Sequence, residues 1–165
     1  MNFGTFAEFL ANINGVTLAV AGAALAAILP GMGSAKGVGM VSEASTGLLV
    51  EDPSKFGKAL LLQALPGTQG IYGLVTAFLV FFKIGVLGEL SALTTSQGAY
   101  FLFACLPIAV VGYYSAIKQA RVAVAGINLI SKRPGEVGKA ITSAALVETY
   151  AIFALLISLI PIIFA

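Results

Sequence analysis

The stretch from Ala140 to Ala165, AITSAALVETYAIFALLISLIPIIFA, contains one charged residue, Glu148. About 20 apolar residues at ~1.5 Å each cross ~30 Å of hydrocarbon, so this run predicts a membrane span with a carboxylate inside it. Three other runs of that length carry no charge at all: Phe9 to Ala35, Ala59 to Phe82, and Leu90 to Ile117. Four such spans with short connections fill 165 residues. The predicted fold is therefore an all-α membrane protein of four transmembrane helices, residues 1–165 forming one membrane domain.

Composition agrees with that reading. The chain is 59% apolar and 10% charged, where a soluble domain is ~25% charged, and a water-soluble globule is excluded. A dispersed net charge of +2 supplies no basic patch for nucleic acid. With no His, no Trp and one Cys105 inside an apolar run, the usual zinc, haem and Cys/His nucleophile sites cannot be built, and Cys105 reads as a small buried hydrophobe. Residues 1–14 hold Glu8 but no Lys or Arg; the positive region of a secretory signal is missing, and the first run is retained as a span.

The first helix, Gly15 to Gly33, is rich in Ala and Gly, and Gly33 with Gly37 forms a small-xxx-small pair that lets helix backbones approach. The run Gly31 to Gly39, GMGSAKGVG, meets neither dinucleotide nor Walker spacing. Lys36, Lys55 and Lys58 flank the first connection, and Lys118, Arg121, Lys132, Arg133 and Lys139 the third; the middle one has only Lys83 beside Glu89. The positive-inside rule then makes the first and third connections cytoplasmic and puts both termini outside a multi-pass cell-membrane protein.

Slid along itself by 81 residues, the chain places Gly57-Lys58-Ala59-Leu60 on Gly138-Lys139-Ala140-Ile141, Pro53 on Pro134, and Ser34-Ala35 on Ser115-Ala116. Leu65 meets Leu146, Thr68 meets Thr149, and Gly67 takes the place of Glu148. This predicts a duplicated helical hairpin, residues 12–84 and 96–165, in which only the second copy keeps a mid-span carboxylate.

Glu148 lies nine residues from Lys139, hence ~13 Å deep, near the bilayer midplane. A bare charge there costs from ~3 to more than ~10 kcal/mol, and intramembrane carboxylates mark ion or proton pathways by default. In the second span Leu65, Thr68, Gln69 and Tyr72 fall at i, i+3, i+4 and i+7, one helical face at a depth similar to that of Glu148, while Gln63 faces elsewhere. Pro66 lacks an N–H and crowds the preceding turn, freeing a carbonyl beside the stripe for a cation, or for Thr68 or a water. Gln119 lies fifteen residues before Pro134 and Glu148 fourteen after it, so the two are level. Lys118 and Arg121 then sit at nearly the same depth, facing a polar interior or snorkelling along long helices. One carboxylate with neutral oxygens from Leu65, Thr68, Gln69 and Gln119 suits a hard monovalent cation and favours Na⁺ over H⁺, with Tyr72 as supporting hydroxyl.

The segments Leu65-Pro66-Gly67-Thr68-Gln69-Gly70, Leu146-Val147-Glu148-Thr149-Tyr150-Ala151 and Gly33-Ser34-Ala35-Lys36-Gly37-Val38-Gly39 resemble those of the proteolipid, or K, rotor-ring subunit of V-type and A-type rotary ATPases, and within it the sodium-translocating bacterial V-type branch. The resemblance covers nearly the whole chain. It implies a homo-oligomeric ring in lipid, the first and third helices inside, the second and fourth outside, working against a static membrane subunit that presents an Arg and joined to central-stalk subunits. The chain itself would be non-catalytic, with ATP hydrolysis or synthesis in the partner sector. The family's ion ligands fall on Leu65, Thr68, Gln69, Gln119 and Glu148, with Tyr72 supporting. One departure is Ser115-Ala116-Ile117-Lys118-Gln119-Ala120, where the family has uncharged, Gly-containing neighbours around the Gln. Rival readings are the same rotor carrying H⁺, a free-standing small secondary transporter with one membrane carboxylate, and a structural four-span protein.

Overall fold

The computed structural model describes residues 13–86 and 88–165. The predicted repeat boundary at residue 12 and the segment carrying Glu8 lie outside them. Four helical spans are long and apolar enough to cross a membrane: Gly15–Glu51, Pro53–Lys83, Thr95–Lys132 and Pro134–Phe164. No strand occurs among the described residues. The first and third spans run for 37 and 38 residues, ~55 Å at helical rise, well beyond the ~30 Å of hydrocarbon.

Local chemistry sets the ends. Asn14 opens the first span by accepting from the Thr17 backbone N–H at 2.9 Å. Thr94 and Gln97 form a reciprocal capping box at the start of the third. Asp52 accepts from the Ser54 hydroxyl at 2.6 Å and its N–H at 3.1 Å, turning the chain into a 3₁₀ segment, Pro53–Lys55. The Ser54 hydroxyl, ahead of the neighbouring Lys55 ammonium, holds the Asp52 carboxyl below the usual carboxylate range. Lys55 and Lys58 reach across to the Ser131 and Pro134 carbonyls at 3.0 and 2.9 Å, so part of the basic cluster of the short connections satisfies backbone acceptors around the end of the third span.

The first helix continues past its Ala- and Gly-rich part, Gly15 to Gly33, to Glu51. Glycine disfavours a helix interior, but tertiary packing overrides that preference here. A Cβ on Gly33 would stand 2.7 Å from the Tyr113 carbonyl oxygen, and one on Gly37 3.1 Å from that of Ala116. The absent side chains let the first and third spans meet backbone to backbone. Lys36, Lys118 and Arg121 are exposed positions within long helices.

The second span is broken at Pro66 into Phe56–Ala64 and Thr68–Lys83, joined by a 3₁₀ turn, Leu65–Gly67. It packs on the first span, and the fourth packs on the third. Two apolar clusters fill the interior. One, toward the chain termini, includes Ala23, Val80, Cys105, Ile108 and Ile162; the other, toward the short connections, includes Val41, Leu62, Ile127 and Ile130. Cys105 is fully buried, as its apolar surroundings in sequence suggest.

Candidate ion-binding site

Polar side chains from all four spans meet between those clusters. Gln69 and Gln119 are completely buried, so each amide must find partners inside the protein. Gln69 Nε2 donates to Gln119 Oε1 at 2.5 Å. Gln119 Nε2 donates to Glu148 Oε2 at 3.3 Å. On its other oxygen, Glu148 accepts from the Tyr72 hydroxyl at 2.5 Å. The half-buried carboxylate is thus held by one amide and one phenol. Gln119 and Glu148 are level, as counting outward from Pro134 requires.

The stripe on the second span supplies the rest. Thr68 Oγ1 donates to the Leu65 carbonyl at 3.0 Å and lies 3.4 Å from Gln69 Oε1. Of the partners open to the carbonyl beside Pro66, the structure uses the threonine hydroxyl. The same local bond recurs one repeat later, where Thr149 Oγ1 donates to the Leu146 carbonyl at 2.8 Å. In that second position the other site residues are replaced: Tyr150 stands for Gln69 and Phe153 for Tyr72, while Val38 and Gly67 stand for Gln119 and Glu148. The carboxylate and both amides are therefore confined to one of the two related places.

Every predicted site residue, Leu65, Thr68, Gln69, Tyr72, Gln119 and Glu148, belongs to this hydrogen-bonded cluster. Two serines join it that spacing alone did not single out. Ser115 Oγ stands 3.4 Å from Gln69 Nε2 and donates to the Val147 carbonyl at 3.2 Å, tying the third span to the fourth beside Glu148. Ser34 Oγ accepts from the Gly70 N–H at 2.8 Å, within one turn of the Pro66 break. Their signal was present: both are polar residues in small-residue surroundings, matched to each other at the 81-residue offset.

The donor set is all oxygen with one negative charge. Oxygen donors of this kind suit a hard ion and not a soft metal. The fold and site define a multi-span membrane protein with one half-buried carboxylate set among neutral oxygens.

The chain belongs to the ATP synthase C-subunit family, whose model matches it twice, over residues 21–80 and 102–160. It is 49% identical over 149 residues to the V-type sodium ATPase subunit K of Enterococcus hirae, covering 90% of this chain and 92% of that protein. It is 36% identical over 151 residues to the A-type ATP synthase subunit K of Methanocaldococcus jannaschii, covering 92% of this chain and 64% of that protein. Membership makes it a non-catalytic, ion-translocating proteolipid.

Proposed function

We propose that this chain is the rotor subunit of a V-type rotary ATPase and carries Na⁺ at Glu148. The observation that carries the reading is the half-buried carboxylate, which accepts from Tyr72 and Gln119 at mid-span with the Leu65, Thr68 and Gln69 oxygens in the same cluster. The similarity to a V-type sodium ATPase subunit K supports the choice of ion.

The physical logic is neutralisation. An ionised Glu148 is costly at the bilayer midplane, whereas a carboxylate paired with Na⁺ has no net charge and can pass lipid. Four neutral oxygens complete the cage: the Leu65 carbonyl, the Thr68 hydroxyl and the two amide oxygens. A proton would need only the carboxyl group. Gln69 and Gln119 each carry a donor and an acceptor on one planar amide, so a half-turn presents oxygen to the ion in place of the N–H bond made without it. The Tyr72 hydroxyl holds the carboxylate throughout. Release follows when a static membrane subunit offers an Arg as a competing cation.

In this reading the single domain is a duplicated hairpin, residues 12–84 and 96–165, and copies assemble into a ring embedded in lipid and joined to the central stalk. The first and third connections face the cytoplasm and both termini the outside.

Carbodiimide labelling of Glu148 tests the ion. The reagent attacks the protonated carboxyl, so Na⁺ is expected to slow the reaction at neutral pH and acid to speed it. Labelling must disappear in Glu148→Gln, which has no carboxyl to react. A reaction governed by pH and indifferent to Na⁺ assigns the site to H⁺ and overturns the sodium reading. Tyr72→Phe removes one hydrogen bond to a charged acceptor, about 1.5–3 kcal/mol. It is expected to raise the Na⁺ concentration needed for half-protection by about tenfold or more, with the helical content unchanged.

A further inference from the structure

We infer that the outer groove between the third and fourth spans is the seat for the first span of a second copy of this chain, with Tyr114 and Lys118 of one copy packed over Ala35 and Gly39 of the next. The inference rests on the ring reading and adds to it the register of the seam and a place for Lys118.

The groove encloses about 350 Å³, and its walls include Tyr114, Lys118 and Val147. At the 81-residue offset these correspond to Gly33, Gly37 and Pro66. Those three counterparts line the seat that the chain's own third span fills. Gly33 abuts the Tyr113 backbone, and a Cβ on Gly37 would lie 2.8 Å from Pro66 Cβ, 3.1 Å from the Ala116 carbonyl oxygen and 3.2 Å from Ala120 Cβ. The second hairpin therefore presents, unoccupied in a single chain, the counterpart of the place that holds the two hairpins together.

The occupant has a counterpart too. Tyr113, Ala116 and Ala120, which fill the first seat, correspond to Met32, Ala35 and Gly39. Met32 is 56% exposed, Ala35 is exposed, and nothing lies within 4 Å of a Cβ built on Gly39. The chain thus carries one unfilled seat and one unseated helix face, on different hairpins and related by one offset. Such a pair makes a heterologous, head-to-tail contact, the kind that closes into a ring.

The two seams differ in where the bulk lies. Inside the chain, the first span is stripped to Gly33 and Gly37 and the third approaches its backbone. Between copies, the third span brings Tyr114 and Lys118, and the first is stripped to Ala35 and Gly39. Lys118 lays its four-carbon stem along the bare backbone at Gly39 and leaves its ammonium at the stem's end. This accounts for a lysine beside Gln119 without placing its charge in the site.

Cysteine crosslinking of the full-length chain in membranes tests the seam. Position 118 should stand to position 39 of the neighbour as Gly37 stands to Ala120, within disulfide reach. Oxidation of Lys118→Cys co-expressed with Gly39→Cys is expected to give covalent dimers, and the double variant a ladder of higher multimers. Each single variant, which still holds the buried Cys105, should give neither. Pairing that is stronger with Glu43→Cys, one turn further along, overturns the register. Intact mass in detergent separates the two levels of the argument. A many-copy ring without the 118–39 bond refutes this seam, with lipid or another protein in the groove, while the ring stands. Single chains alone refute the ring reading and this inference together. Gly39→Leu, whose Cβ has nothing within 4 Å in the single chain, should keep native helicity and lower the assembled fraction several-fold; an unaltered ring would also overturn the seam.

Discussion

Glu148→Gln is expected to abolish Na⁺ transport by the assembled complex and to weaken Na⁺ binding by at least about 100-fold. The glutamine keeps an oxygen that can accept from Tyr72, as Glu148 does at 2.5 Å, so the packing around it is preserved and the change falls on charge. Removing one partner of a buried ion pair costs about 3–5 kcal/mol, which is more than two decades in a binding constant. Glu148→Asp separates charge from position: it remains ionisable but withdraws the carboxylate by one methylene from both Tyr72 and Gln119. It should bind Na⁺ more weakly than the parent and far better than Glu148→Gln. ²²Na⁺ binding by purified complexes measures both, and sodium-dependent carbodiimide protection measures Glu148→Asp, which keeps a carboxyl to label. Wild-type transport in Glu148→Gln would remove the carboxylate from the mechanism and leave a structural four-span protein as the better reading.

A large loss of stability is expected from Gly73→Leu. A Cβ at Gly73 would lie 2.1 Å from the Ala26 carbonyl oxygen and 2.9 Å from Pro30 Cγ. Neither neighbour can rotate away, since one is backbone and the other a ring fixed in the first span. The first and second spans must separate, at a cost of about 3 kcal/mol for overpacking, and adjacent Tyr72 moves with the second. Purified protein should therefore show a markedly lower unfolding midpoint in detergent and weaker Na⁺ protection of Glu148. Gly57→Leu, where nothing lies within 4 Å, should behave like the parent. Equal stability of the two variants would contradict the close packing of the first and second spans.

The seam between the first and third spans shows how far periodicity reached. Small residues at Gly33 and Gly37 predicted close helix approach, and both meet backbone atoms of the third span. Their spacing did not say which helix would come close. Nor did the composition around them say how far the helix continues: it runs to Glu51, although glycine usually weakens helices. A propensity is a local quantity, and the packing that outweighs it lies about 80 residues away in the chain.

The amino-acid order by itself determined that four long apolar runs, three of them free of charge, can span a membrane, that Glu148 would sit deep within the fourth, and that Leu65, Thr68, Gln69 and Tyr72 would share a face, because depth and facing follow from counting residues along a regular helix. Only the tertiary structure decided that Thr68 closes on the Leu65 carbonyl, that Gln119 and Tyr72 divide the two oxygens of Glu148, and that Ser34 and Ser115 secure the spans around them. A buried polar group takes whichever partner stands within about 3 Å, and that distance is set by how the helices turn and settle against one another.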